Sequence, residues 1–473
     1  MVNFQGLLVN TSFSTYINYP MNKKYKFLMM LSLLAIALGA QTPEQHYFEW
    51  TQLPFTKEEL SQRREKLIDH LQERGATGLV VVPASDGISS GETFRQNDDF
   101  YYFTGLELPN SILVIDIDQK SAKIYVPETD PRFYSASRPN DFPGRPLLYD
   151  MAIASRSGLP LADIDAFSER MDQVAMAKTK IWIDKGKPGT VSLAPLDYFT
   201  IPSPEDLLIN ALLSRHPDLQ IENSYEAIAR LRMVKSPEEI KLLRKATTIN
   251  VDAIKIAAKS LRAGVDERFL EGVLEGSYKM NGAQRLAFGS IIKSGPNSLW
   301  PWRILATHYD RRNRQMADGD LVIFDVGCEY DQYVSDVGRT FPVSGTFDQK
   351  QRETLRMEVA IADSILAHIK PGIRFSDLKA LTDRIIPDEA KPYMQVALHF
   401  GHHLGLSTGD PSLPEAPLQV GMVFTVEPWY YNHVAQMAVF TEDVVLVTEN
   451  GCEILSKALP RSPEALEKLM KTE

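Results

Sequence analysis

Residues 318–347 read DGDLVIFDVGCEYDQYVSDVGRTFPVSGTF. The segment contains two runs of β-branched apolar residues, and each run carries an aspartate, Asp325 in the first and Asp336 in the second. This pattern predicts two paired strands, with residues 328–332 as the turn between them. Burying an unpaired carboxylate is costly. Two such side chains in one hairpin therefore indicate a site where a positively charged partner, such as a bound cation, compensates the acidic groups.

The same pattern returns near the C-terminus. Glu427 directly follows the apolar run MVFTV, and Glu442 precedes DVVLV. A single acidic residue at a strand end is usually solvated or ion-paired. Here there are four, and the chain also has a candidate ligand histidine, His402, in the glycine-containing stretch HFGHHLGL. Imidazole and carboxylates suit manganese, cobalt, zinc or iron. Four carboxylates carry too much negative charge for one ion, so we expect two divalent ions that activate water for hydrolysis.

These segments together resemble the aminopeptidase P family. The resemblance lies in the hairpin 318–347, in GHHLGL at 401–406, in GMVFTVEP at 421–428 and in Thr441-Glu442-Asp443. It extends to the pair His308-Tyr309 and to FRQNDDFYYFTGL at 94–106, and it covers roughly residues 55–455. That family removes an N-terminal residue that precedes proline. It shares the pita-bread fold with prolidase, methionine aminopeptidase and creatinase.

The resemblance implies a role for each candidate residue. Asp325 and Asp336 bind metal, with Asp336 bridging the two ions. His402 binds one ion, Glu442 also bridges, and Glu427 is a ligand that also handles a proton. His308 is expected to contact the substrate or to stabilise charge on its carbonyl oxygen. Trp300 and Trp302 precede it and either line the substrate pocket or only pack. The expected cofactor is a pair of manganese ions, with cobalt, zinc or iron as alternatives. The expected substrates are peptides with proline in second position.

Two positions depart from the family pattern. A histidine is usual seven residues after the ligand histidine, where this chain has Gly409, and an arginine is usual two residues before the last glutamate, where it has Phe440. Metal binding is still expected, but turnover should be slow unless another donor replaces the histidine. His403 and His399 are the nearest candidates, although His403 should face away from its neighbour His402 on an extended segment.

The length of 473 residues predicts more than one domain. Helices and strands alternate in the first half, which predicts an α/β domain over 54–222. The family resemblance implies that this domain is of the creatinase/aminopeptidase P N-domain type. A linker over 223–236 leads to Ser236-Pro237-Glu238-Glu239, a helix start with a capping box. An α+β catalytic domain, which the resemblance implies has the pita-bread fold, is expected over 237–457, followed by a C-terminal tail over 458–473.

The N-terminus has the order of a secretory signal peptide. A basic stretch at 22–26 precedes the apolar run FLMMLSLLAIALG at 27–39, and small residues follow. We expect residues 1–40 to be removed and the protein to be exported to the periplasm or the medium, without stable membrane insertion. An uncleaved anchor is the alternative. Met21 stands directly before the basic stretch, so residues 1–20 can lie upstream of the true start.

Composition limits the classes of function that the chain can have. The net charge of −10 argues against a nucleic-acid partner. The two cysteines, Cys328 and Cys452, are too few and too far apart for a zinc ribbon or a disulfide framework, and core packing is expected for them. The family resemblance allows a homodimer. Three alternatives stay open: a prolidase that cleaves only dipeptides, a creatinase-like amidinohydrolase, and a pita-bread domain that binds peptides without catalysis.

Overall fold

The computed structural model describes residues 46–87, 93–133, 145–188, 202–299, 313–394 and 401–471. Within these ranges the chain forms an N-terminal α/β part and a C-terminal α+β part, and the predicted fold class is confirmed. The predicted signal peptide lies outside the described residues. Within the described residues, none of the helices is long and apolar enough to cross a membrane.

The N-terminal domain is built on one six-stranded mixed sheet, in the order β4-β3-β2-β1-β5-β6. Its strands are β1 (Leu79–Pro83), β2 (Ile112–Asp116), β3 (Ser121–Val126), β4 (Leu161–Asp163), β5 (Ile181–Ile183) and β6 (Ile221–Asn223). Its helices are α1 (Tyr47–Trp50), α2 (Lys57–Gln72), α3 (Asp98–Thr104), α4 (Met151–Ser157), α5 (Asp165–Met176), α6 (Pro204–Arg215) and α7 (Tyr225–Met233).

Both faces of this sheet are buried, which explains why β1 is a continuous apolar run rather than an alternating one. Val80 and Val82 face the core that includes α2 and α3. Leu79 and Val81 point the other way, into a second core with Phe167 of α5. The domain therefore has three layers, with helices on either side of the sheet.

The capping box predicted at the start of the C-terminal domain is present. The Ser236 hydroxyl accepts from the Glu239 main-chain N–H, and the Glu239 carboxylate accepts from the Ser236 N–H. The helices that follow are α8 (Pro237–Lys259), α9 (Glu267–Met280), α10 (Gln349–His368), α11 (Phe375–Ile385) and α12 (Pro463–Lys471). Helix α7 occupies most of the predicted linker, and α12 lies in the predicted tail.

The strands of this domain form small antiparallel sheets in the orders β11-β10-β7, β12-β9-β8, β13-β16-β17 and β14-β15. Their bounds are β7 (Arg285–Leu286), β8 (Ile291–Ser294), β9 (Leu321–Val326), β10 (Cys328–Tyr330), β11 (Tyr333–Val334), β12 (Val337–Pro342), β13 (Val423–Val426), β14 (Trp429–Asn432), β15 (Met437–Phe440), β16 (Asp443–Thr448) and β17 (Gly451–Ile454). Isolated bridges join Gly338 to Glu442 and His403 to Phe424, so the small sheets are connected where the candidate ligands lie.

The predicted turn over 328–332 is too long. Cys328–Tyr330 is a strand, and only Asp331 and Gln332 turn, with φ of 47° and 65°. Positive φ at both central residues is what a two-residue hairpin turn needs to match the twist of its strands. Both cysteines are free; Cys328 is buried, as predicted, and Cys452 is partly exposed.

Candidate metal centre

The two aspartates come from neighbouring strands. Asp325 lies in β9 opposite Gly338 of β12, and Asp336 immediately precedes β12. The side chains are almost inaccessible to solvent, with Asp325 7% and Asp336 4% exposed. Strand pairing thus places both carboxylates in the interior, at one end of the hairpin.

His402 is held by β13, the strand that directly precedes the candidate ligand Glu427. Its main-chain N–H donates to Thr425 Oγ1 (3.1 Å), and the Thr425 N–H donates to the His402 carbonyl (3.0 Å). The preceding Gly401 has φ of +84°, and a Cβ there would lie 1.8 Å from Thr425 Oγ1. Only glycine therefore lets the histidine segment approach this strand so closely.

Glu427 has a protein donor on each carboxylate oxygen. The Thr425 hydroxyl donates to Oε1 (3.0 Å), and the indole N–H of Trp429 donates to Oε2 (3.2 Å). These residues share one face of the extended chain because side chains alternate along it. The Thr425 hydroxyl accepts from His402 and donates to Glu427, so one side chain fixes the spacing of two candidate ligands.

Glu442 lies where two sheets meet. Its N–H donates to the Gly338 carbonyl (3.0 Å), opposite Asp325. The next residue, Asp443, accepts from Arg339 Nη2 (2.6 Å), and both side chains of this ion pair are buried. Arg339 also donates to the Glu442 carbonyl, so its guanidinium holds the main chain of the candidate ligand.

Four of the five predicted ligands come together at short distances. Ligand atoms of Asp336, His402 and Glu442 lie within 4.8 Å of one another. His402 Nε2 lies 3.4 Å from Asp336 Oδ2 and 3.7 Å from Glu427 Oε1. Asp325 is outside this group of three, but it is close enough to raise the pKa of Glu442.

The site is unfavourable for charged carboxylates when no cation balances them. Burial raises the pKa of Glu427 to about 7. Burial and the neighbouring carboxylates Asp336, Glu427 and Asp325 raise that of Glu442 well above its usual value. Burial lowers the pKa of His402, but its hydrogen bond to Asp336 and the acidic surroundings outweigh this and raise it to about 9. The raised pKa values mean that protons compete with divalent ions for these residues.

The donor set fits divalent metal ions. Among the described residues, Asp336 Oδ1 and Glu442 Oε2 are buried and have no hydrogen-bond partner. Buried polar atoms are normally satisfied, and a coordinated cation would satisfy both of these. The residues that would hold the ions are one imidazole and carboxylates, a set suited to manganese, cobalt, zinc or iron rather than to copper(I).

Phe440, which stands in place of an expected arginine, is fully buried in an aromatic stack. Its ring lies 3.4 Å from that of Trp429, centroid to centroid, and Trp429 stacks on Tyr431 at 5.2 Å. On its edge the Phe440 ring meets Gly338, where a Cβ would come within 1.9 Å of Cε1. An aromatic side chain thus fills the space beside the acidic cluster, and Trp429 supplies a neutral donor to it.

The prediction that His403 could replace the missing histidine donor at Gly409 is wrong. As the alternation predicted, His403 faces away from His402, and its ring packs against Phe375 (5.2 Å) and Phe424 (6.0 Å). Burial lowers its pKa to about 3. Gly409 is exposed in a turn. The other substrate-contact candidates, His308, Trp300 and Trp302, and the alternative donor His399 lie outside the described residues.

Thr425 and Trp429 were missed in the sequence. Both lie two residues from Glu427, and this spacing in an extended chain was a usable signal that they share its face. A hydroxyl and an indole N–H beside a buried carboxylate are the donors that would orient it.

The chain is similar to known proteins over both halves. Residues 241–449 match the model of metallopeptidase family M24, and residues 60–134 match that of the aminopeptidase P N-terminal domain. The Xaa-Pro aminopeptidase of Escherichia coli strain K12 is 28% identical over 461 residues, which cover 88% of this chain and 98% of that protein. The Xaa-Pro dipeptidase of Pyrococcus furiosus is 29% identical over 405 residues, 84% of this chain and 98% of that protein.

The solved structures include aminopeptidase P from E. coli with the inhibitor Pro-Leu. It superposes with a TM-score of 0.70 at 26% identity and covers 88% of this chain and 98% of that chain.

Proposed function

Because the chain belongs to metallopeptidase family M24 and carries an aminopeptidase P N-terminal domain, we propose that it releases the first residue from peptides with proline in second position, using two divalent metal ions. The observation that carries the proposal is the buried cluster of Asp336, His402, Glu427 and Glu442, with Asp325 beside it. These five residues are the proposed ligands.

Bound ions would lower the pKa of water and polarise the scissile carbonyl. The chain's own contribution is to orient the groups around that water. Thr425 and Trp429 hold the Glu427 carboxylate by one hydrogen bond on each oxygen, which fixes its direction. Glu427, held in this direction, is the proposed group that accepts a proton from the attacking water and returns it to the departing nitrogen.

The specificity part of the proposal rests on the relatives and on the N-terminal domain. The similar E. coli protein is named an Xaa-Pro aminopeptidase, whereas the P. furiosus protein is named a dipeptidase. The aminopeptidase P N-terminal domain favours the first of these activities. An Xaa-Pro bond has no N–H, so the pocket must recognise the shape of the ring rather than a donated hydrogen bond.

The deciding assay uses manganese-loaded enzyme on Xaa-Pro dipeptides, Xaa-Pro-Xaa tripeptides and the same tripeptides with alanine second. We expect cleavage of the proline tripeptides. Equal cleavage of the alanine series would overturn the specificity and leave the metallohydrolase. Cleavage of dipeptides alone would assign a prolidase. No cleavage with both ions bound would favour the amidinohydrolase or the non-catalytic role.

Manganese is our proposal for the native metal, and elemental analysis of protein purified without added metal tests it against cobalt, zinc and iron.

We also propose export with loss of the first 39 or 40 residues, on the strength of the basic stretch and apolar run at 22–39. Mass analysis of the mature protein decides this, and an intact N-terminus on cytoplasmic protein would contradict it. The proposed homodimer is tested by light scattering.

A further inference from the structure

One arginine of the N-terminal domain makes contacts with three separate segments. Arg95, which precedes α3, donates from Nη1 to Asp98 Oδ1 (2.8 Å) and from Nε to Glu329 Oε2 (2.8 Å). From Nη2 it donates to the main-chain carbonyl of Leu406. The last two acceptors belong to the C-terminal domain, so a single planar guanidinium links the domains at two points.

Both acceptors lie in segments that carry candidate metal ligands. Glu329 is in β10, between Asp325 and Asp336 along the chain, and its side chain is 2% exposed. Its other oxygen, Oε1, accepts from Arg285 Nε (2.9 Å). Leu406 lies four residues after His402. Arg95 therefore connects the hairpin that bears the aspartates to the loop that bears the histidine.

The histidine loop is fixed at its other end by a second set of ion pairs. Asp410 closes the loop through its N–H, which donates to the His403 carbonyl (3.2 Å). Its carboxylate accepts from Arg232 Nη2 (2.5 Å) and from Lys235 Nζ (3.1 Å). Arg232 also binds Asp99 of α3 (2.8 Å). Thus α3 and the residues beside it hold both Leu406 and Asp410.

We infer that Arg95 is a positioning residue for the metal centre and that its contacts across the domain interface set the affinity for metal. The inference rests on the metal centre of the proposed function. The Val334 N–H donates to the Gly405 carbonyl (3.0 Å), so hairpin and loop also touch directly, and Arg95 adds a hydrogen bond to the neighbouring Leu406 carbonyl. Metal affinity depends steeply on ligand placement, and loss of a supporting outer contact typically weakens binding about 10–100-fold.

The test compares Arg95→Gln with a matched control, Arg64→Gln. Arg64 is also an arginine of the N-terminal domain that donates to a main-chain carbonyl, that of Phe103 (2.7 Å), but this contact stays within the domain. Arg95 has 34% of its side chain exposed, so its replacement leaves no closed cavity. Metal-free proteins are titrated with Co²⁺ against a chelator. The visible absorption of bound cobalt reports ligand geometry, and circular dichroism reports folding.

We expect Arg95→Gln to stay folded, to bind Co²⁺ about 10–100-fold more weakly and to show altered absorption bands, while Arg64→Gln matches the wild type within about twofold. Wild-type affinity and bands in a folded Arg95→Gln protein would overturn the inference and leave the proposed function intact. A wild type that binds no cobalt would instead overturn the metal centre and the inference with it. Should Arg95→Gln unfold, Glu329→Gln must weaken Co²⁺ binding in the same way, and its failure to do so overturns the inference.

Discussion

Replacing Trp429 by phenylalanine should slow the enzyme by removing one hydrogen bond. The indole N–H donates to Glu427 Oε2 at 3.2 Å, inside the buried cluster. Phenylalanine keeps a ring between Phe440 and Tyr431, so the stack survives and only the donor is lost. A hydrogen bond to a charged group contributes about 1.5–3 kcal/mol. The length of this bond places it near the lower end.

A loss of about 1.5–2 kcal/mol corresponds to a fall in kcat/KM of roughly 10–30-fold, since about 1.4 kcal/mol is a factor of ten. Thr425 still orients the other oxygen, so activity should be reduced rather than abolished. The assay is steady-state hydrolysis of an Xaa-Pro-Xaa tripeptide, with metal content measured on the same sample.

Trp182→Phe is the matched control. Its indole N–H donates to the Thr77 carbonyl (3.0 Å) in the N-terminal domain, remote from the metal centre in the fold. It should change kcat/KM by less than about twofold, because no candidate ligand loses a contact. Equal kcat/KM for Trp429→Phe and wild type, at equal metal content, would refute the role given to the indole N–H.

Four further outcomes are expected. Wild-type protein should carry two divalent ions per chain, and Glu442→Ala should lose at least one of them by elemental analysis; absence of transition metal after incubation with manganese would contradict the dinuclear site. Metal uptake at pH 7 should release protons, because the metal-free site has a pKa of about 7 at Glu427 and about 9 at His402, while burial and the neighbouring carboxylates raise that of Glu442. Metal affinity should therefore fall as the pH is lowered, by about tenfold per pH unit for each proton displaced; an indicator dye measures the release, and pH-independent affinity would contradict it. Burial and the Asp99 carboxylate raise the pKa of Asp184 from 3.8 to about 7, so folding takes up a proton between these pH values and the stability of the fold falls as pH rises through them. Asp184→Asn should therefore stabilise the fold by about 1–3 kcal/mol at pH 8 and by little at pH 4, as measured by urea unfolding. An equal gain in stability at both pH values would exclude this cause. Gly409→His should fold normally, because no atom lies within 4 Å of the new Cβ. If a hydrogen-bond donor is missing at this position, the histidine should raise kcat by up to about a hundredfold, whereas the control Gly409→Ala should keep the wild-type kcat. Equal kcat values for the two variants would mean that no donor is missing there.

The sequence was most informative where a local rule applies. Acidic residues beside apolar strands identified the segments of the cluster, and Ser236 with Glu239 predicted the start of helix α8, because both signals are contained in a few neighbouring residues. The sequence also identified the segments that carry Glu427 and Phe440. It did not predict the stacking of Phe440 on Trp429, because that contact depends on the register of β14 with β15.

Contacts between distant segments were beyond the reach of the sequence. Arg95 and Leu406 are 311 residues apart, and nothing in either segment indicates the other. The error over His403 has a similar origin. Its position beside a ligand made it a candidate donor, whereas Phe375, from a helix earlier in the chain, encloses its ring.

The contact between Gly338 and the Phe440 ring has a consequence for how such chains diverge. A side chain at position 338 would overlap the ring at 1.9 Å, and position 338 pairs with Asp325, so the backbone there cannot shift without moving a candidate ligand. Substitutions at positions 338 and 440 are therefore coupled. Lineages that keep a large ring at 440 should keep glycine at 338, and a larger residue should reach position 338 only after position 440 has become smaller.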